Sequence, residues 1–145
     1  MSRKGGLPLF FSLWEWCILQ NKNLNYKHPN TVWEYIKEDL EVLIIKGLLN
    51  TGDKVPSINK LANHYNVSNS TAQKALETLF DKDILIKKQG IGYFVKPYTR
   101  NKLISEHKEK LKKRLETLLL ESKKLDIDKD ELNLFINSVI NKIYS

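Results

Sequence analysis

VPSINKLANHYNVSNSTAQKALETLF, residues 55–80, decides the fold of this chain. Pro56-Ser57 opens a helix, because the Ser57 hydroxyl can accept from an unpaired amide of the first turn. That helix runs through Leu61 and Ala62 to about Tyr65. Asn66 then supplies the left-handed backbone conformation of a tight turn, which few residues other than glycine accept at low cost. Val67 is placed to plug the corner, and Ser68 can cap the next helix. This helix reaches about Phe80, with Ala72, Ala75, Leu76 and Leu79 on its inward side. The spacing predicts two short helices joined by a turn.

Upstream, Pro29 precedes a cap at Asn30 or Thr31. Val32, Ile36, Leu40, Leu43, Ile44 and Leu48 then recur with the period of an amphipathic helix. It should stop near Asn50, since TGD at 51–53 is turn chemistry. Downstream, Asp83 closes the segment. ILIKKQGIGYFVK follows, with strand patterns at 84–88 and 93–96 around a turn of Gln89, Gly90, Ile91 and Gly92. The fold class expected is mainly α with a small β-hairpin. Three helices and a hairpin over residues 30–98 make a winged helix-turn-helix, the kind of domain that enters a DNA groove.

From about residue 99 the composition changes. Ile104, Leu111, Leu115, Leu118 and Leu125 form one stripe among lysines and glutamates. Asp126-Ile127-Asp128 breaks the helix, and Asp128 can cap a last one. Leu132, Phe135, Ile136, Val139, Ile140 and Ile143 make an apolar face on that helix. Two such helices in about 45 residues cannot cover their apolar faces alone. Residues 99–145 are therefore expected to be a two-helix dimerisation tail, most simply paired with a second copy. Packing on the chain's own DNA-binding domain is the other reading.

Composition sets the class of partner. The chain has 145 residues and a net charge of +7, from 24 Lys+Arg against 17 Asp+Glu. A basic balance favours a polyanion. Its placement is more telling than its size. No acid stands between residues 54 and 76, and none between 84 and 105. Lys87, Lys88, Lys96, Arg100 and Lys102 lie in the second window. A winged helix presents these two segments to phosphate, where an acid is costly.

Cys17 is the single cysteine, so no intrachain disulfide forms, which fits a reducing cytoplasm. His28, His64 and His107 lack metal-ligand spacing. No nucleophile-base arrangement, phosphate loop or metal motif indicates an enzyme or a cofactor. Residues 1–29 form an extension of unknown role. Its apolar run LPLFFSLWEWCIL is too short to span a bilayer and is interrupted by Glu15. It reads as a packing helix, as sequence upstream of the true start, or as a membrane-surface anchor. A membrane is not the expected partner.

Residues 30–95 resemble the DNA-binding domain of GntR-family bacterial transcription regulators. The carriers are G-L-L-x-x-G-D-K-V-P-S, L-A-x-x-Y-x-V-S-x-S-T and K-K-Q-G-x-G-Y-F-V, in that order. The short tail is similar to that of the YtrA subfamily, whose members lack the large ligand-binding domains of their relatives. The resemblance implies a dimeric regulator, most simply a repressor, of a neighbouring transporter operon. It names no effector.

In many members of that family arginines stand where this chain has Asn59, Asn69 and Gln73. Arginine suits guanine, whereas Asn and Gln suit adenine N6 and N7. Asn69 and Gln73 are four residues apart and share a helix face. They are expected to read an A·T-rich half-site, with Lys54, Lys74, Lys87 and Lys88 holding phosphates. Ser57, Ser68, Ser70 and Thr71 have hydroxyls near helix starts that can donate to a phosphate. For Ser57 and Ser68 capping is an equally good explanation. Gln89 and Gly90 form the wing tip, and Gly90 either lets the backbone approach the minor groove or simply meets the turn's need for positive φ. Asp83 stands where the family often has glycine, a change that a left-handed aspartate tolerates. A protein-interaction module that kept the fold without specific DNA binding is the competing reading.

Overall fold

The computed structural model describes residues 31–145. The expectations for residues 1–29 fall outside that range. Five helices and one hairpin are described: α1 (Val32–Ile45), α2 (Ile58–Tyr65), α3 (Asn69–Asp81), β1 (Leu85–Lys88), β2 (Gly92–Val95), α4 (Thr99–Lys124) and α5 (Lys129–Tyr144). One compact unit ends at Ile104, and a second spans Ser105–Ser145. The protein is a mainly α winged helix followed by a helical tail.

α1 starts at Thr31, where the Glu34 carboxylate accepts from the Thr31 amide at 2.9 Å and from its hydroxyl at 3.1 Å. This is one half of a capping box. The helix ends at Ile45, short of the stop expected near Asn50. Gly47 turns the chain with φ +74°, and the amides of Leu48 and Leu49 both fold back onto the Leu43 carbonyl. Leu49 is nevertheless buried, and Leu48 packs on the core. The apolar period therefore outlasts the helix, and for that reason periodicity alone overran its end.

The turn region follows its sequence closely. Ser57 accepts from the Lys60 amide at 3.2 Å, and Asn66 is left-handed at φ 54°. Val67 is half-buried against the core. Asp83 takes φ 65°, as its side chain permits. β1 and β2 pair antiparallel, with Leu85 opposite Val95 and Lys87 opposite Tyr93. The other edge of β2 is also covered. The amides of Gly52 and Val55 donate to Val95 and Tyr93, and the Val95 amide donates to Asp53. Lys54 thereby bridges to Phe94. The sequence did not show this bridge, which covers part of the sheet edge.

Ile36, Leu40, Leu43, Leu61, Leu76, Leu79, Ile84, Leu85, Val95 and Leu103 are fully or almost fully buried in one core. Leu103 belongs to α4, so that helix begins inside the winged unit. Two charged residues are buried with it among the described residues, Glu41 and its partner Lys37. Glu41 is fully buried, 3.0 Å from the Lys37 ammonium and 4.0 Å from that of Lys82.

Tyr65, at the end of α2, donates its hydroxyl to Asp39 of α1 at 2.7 Å. Burial first, and the Asp39 carboxylate second, hold this phenol protonated far above the usual tyrosine range. A raised folded-state pKa gives stability that is complete below the unfolded value and lost as pH rises. Stability should therefore fall above about pH 10, where the unfolded phenol ionises. Tyr65→Phe should cost about 1–2 kcal/mol at neutral pH and flatten that alkaline fall. Urea titrations at pH 7 and pH 10.5 check both, and an unchanged alkaline slope would remove Tyr65 as its cause.

The tail folds as a helical pair. Asp126 turns the chain at φ 55°, and the Asp128 carboxylate caps α5 through the Glu131 amide at 2.8 Å. The apolar faces expected to be buried are open in the single chain. Leu111, Leu115, Leu118, Leu125, Phe135, Val139, Ile140 and Ile143 are exposed, whereas Ile104, Leu132 and Ile136 are half-buried. Within the Ser105–Ser145 unit, Leu115, Leu118, Leu132, Phe135, Ile136 and Ile140 are among the walls of an apolar groove of about 360 Å³.

Candidate nucleic-acid interface

Five of the thirteen residues predicted to contact DNA line one groove of the winged unit. They are Lys54, Ser57, Asn59, Asn69 and Gln73, and the groove, of about 400 Å³, is closed on the wing side by Ile91, Gly92 and Tyr93. None of its lining residues is an acid. The elements explain the convergence. The segment at Lys54 bridges to β2, α2 begins shortly after it, and the start of α3 follows one tight turn later. Gly92 is needed here, because a Cβ would sit 3.2 Å from Lys54 Cε at φ +140°. Gly90 takes φ +71° with open space around it, which is the turn's own requirement.

The three amide side chains are exposed but not loose. Asn69 Nδ2 donates to Asn59 Oδ1 at 3.0 Å across the two helices. Gln73 Nε2 donates to Glu77 Oε1 at 2.7 Å, one turn along α3. Sequence reasoning missed Glu77, which lies one residue beyond the acid-free window and four beyond Gln73. That i, i+4 spacing was the available signal.

Ser68 is occupied by capping. Its hydroxyl accepts from the Thr71 amide at 3.2 Å and lies 2.9 Å from the hydroxyls of both Ser70 and Thr71. Among these groups Ser70 is exposed and Thr71 half-buried. An anion placed there would meet the amides of the first turn of α3.

The lysines are held by aromatic rings. Lys74 lies 4.5 Å from the centre of the Trp33 ring, Lys87 5.6 Å from Tyr93, and Lys88 4.2 Å from Phe94. Such contacts restrict a flexible stem and leave the ammonium hydrated on its outer side. Lys87 and Lys88 leave the strand on opposite faces, so the wing carries charge on both sides of its tip. Gln89 is exposed beside them.

Three other cations of the second acid-free window are turned to structural partners. Lys96 pairs with Asp83, and this hydrogen bond is the main cause that keeps the Asp83 carboxyl below its usual range. Arg100 donates to the Ile45 carbonyl at 2.8 Å, and Lys102 to the Lys82 carbonyl at 2.9 Å. The last two complete the C-terminal ends of α1 and α3. The window is acid-free, but only part of its charge faces outward.

Among the described residues no group of side chains has the makings of a metal site, and no helix is long and apolar enough to cross a membrane. A polar groove with one lysine and no acid, set between capped helices and a wing, is that of a winged helix-turn-helix. Residues 33–95 match the family described as bacterial regulatory proteins, gntR family. The chain is 23% identical over 108 residues to the HTH-type transcriptional repressor YtrA of Bacillus subtilis, covering 74% of this chain and 83% of that one. It is 33% identical over 97 residues to the uncharacterized HTH-type transcriptional regulator YydK of the same organism, covering 66% of this chain and 41% of that one. In fold it is similar to a GntR family transcriptional regulator from Listeria monocytogenes, with a TM-score of 0.64 at 22% identity, over 78% of this chain and 98% of that one. Residues 33–95 are thus a domain of the gntR kind, and the chain over most of its length is similar to YtrA. The family matched by residues 33–95 is one of regulatory proteins rather than enzymes.

Proposed function

We propose that this chain is a dimeric repressor that reads an A·T-rich, pseudo-palindromic operator in the cytoplasm. The observation that carries the reading is the groove in which Asn59, Asn69 and Gln73 stand together with Lys54 and Ser57, without an acid. Carboxamides pair with adenine in the major groove, while lysines and helix-start groups hold phosphate. Lys74, Lys87, Lys88, Ser68, Ser70, Thr71, Gln89 and Gly90 complete the proposed contact surface. Two copies would place α3 in successive major grooves about one helical turn apart. The apolar faces of α4 and α5 supply the contact between copies. Similarity to the YtrA repressor supports repression; a transporter operon is the target class that the subfamily resemblance of the tail implies.

Selection of bound sequences from random duplex DNA tests this directly. A two-fold-symmetric, A·T-rich motif is expected, and Gln73→Ala should flatten preference at one base position in each half. No enriched motif would favour the reading as a protein-interaction module. The lysines have their own test. Replacing Lys87 and Lys88 by alanine should reduce the slope of log affinity against log salt by about 2, since each lost phosphate contact removes about 0.9. An unchanged slope would take the wing off the backbone.

A further inference from the structure

We infer that Glu77 is a specificity-determining positioning residue, which orients the Gln73 carboxamide for adenine by holding one of its two N–H groups. The inference rests on the DNA-reading role proposed for Gln73. Gln73 donates to Glu77 Oε1 at 2.7 Å. Both side chains are exposed on one face of α3, and Gln73 also lines the groove.

An acid on a DNA-facing helix repels phosphate. Glu77 therefore needs a reason to be there, and the carboxamide's own geometry supplies one. A glutamine has two N–H donors and one carbonyl acceptor. Bidentate pairing with adenine uses the carbonyl oxygen and one N–H, toward N6 and N7. The second N–H is left over, and Glu77 accepts it.

The consequence is a fixed head. A free carboxamide rotates about its last bond and offers donor and acceptor in either order. Holding the amino side against Glu77 leaves one order, and that order is the adenine pattern. The Asn69–Asn59 contact restrains the neighbouring carboxamide in the same manner. Glu77 thus weakens overall DNA affinity and sharpens base choice, a trade in which a repulsive element supplies specificity.

The test compares wild type, Glu77→Ala, Glu77→Gln, Gln73→Ala and the Ala–Ala double variant, all as full chains. Each is read by sequence selection and by affinity for the selected site, for that site with the Gln73 base pair replaced, and for unrelated duplex. Because Glu77 is exposed, thermal melting should show each variant folded. Glu77→Ala should bind unrelated duplex more tightly and lose about 5- to 10-fold of its discrimination at the Gln73 position. Glu77→Gln keeps an acceptor oxygen and should retain most of that discrimination while sharing the gain on unrelated duplex. In the Gln73→Ala background, removing Glu77 should cost no further discrimination. Unchanged base preference in Glu77→Ala, with Gln73→Ala still flattened, would overturn this inference and leave the reading of DNA intact. A further loss at a C·G pair in the double variant would instead make Glu77 a direct reader of cytosine, and would also overturn it. No selected motif with the wild type would overturn both.

Discussion

Aspartate at Leu118 and Phe135 should leave the winged unit folded, make the protein monomeric, and lower its affinity for a two-half-site operator by about 100- to 10,000-fold. Both side chains are more than half exposed in the single chain, at 60% and 66%, so the substitutions cost the monomer little. In the proposed dimer they place carboxylates inside an apolar contact, where an unpaired charge is not tolerated. The large loss on DNA comes from linkage. Once one half-site is bound, a dimer meets the second at high effective concentration, and a monomer does not. Affinity for a single half-site should be unchanged, which separates lost dimerisation from lost folding. Sedimentation of the two proteins, with binding to one and two half-sites, is the measurement. A variant that still sediments as a dimer, or a monomer that binds the full site as tightly as before, would sink the proposed role of the tail.

Glu41→Ala should destabilise the winged unit by about 2–4 kcal/mol, as removal of one partner from a buried ion pair together with a new cavity does. Glu41 is fully buried between Lys37 and Lys82, and so ties α1 to the end of α3. Without the carboxylate two ammonium groups face an apolar wall, although Lys82 can swing to water. Glu41→Met keeps most of the volume, lets the lysines move outward, and should cost less than the alanine change. Urea unfolding midpoints decide between these. If alanine and methionine cost the same, it is the charge rather than the packing that matters at this position. If neither costs more than about 0.5 kcal/mol, the size of an ordinary surface change, the buried pair contributes nothing.

The elements that were legible share one property, that their signals are local. Ser57, Asn66, Ser68, Asp83 and Asp128 each announced a helix end or a turn through what the side chain or backbone does within about three residues. The structure places each of them so. Asn69 and Gln73 were legible in the same way, because a spacing of four puts two side chains on one face. Glu77 continues that spacing and was missed only because the charge window was closed one residue before it.

What was not legible depends on distance along the chain. Lys74 lies over Trp33, which is 41 residues away in sequence, and Arg100 reaches the end of α1 across 55 residues. Both read alike in the sequence, as exposed cations, yet Arg100 completes a helix end. The bridge from Lys54 to Phe94 was not legible, because its partner in β2 lies forty residues further on.

By itself, then, the order of caps, turns and apolar periods determined a winged helix with a helical tail, since those choices are made by short-range sterics and hydrogen bonding. Only the tertiary structure decided which charges face outward, how the carboxamides of the groove are held, and that the tail's apolar faces are left uncovered in one chain. Those outcomes depend on which surfaces meet, and that is set when the distant segments pack together.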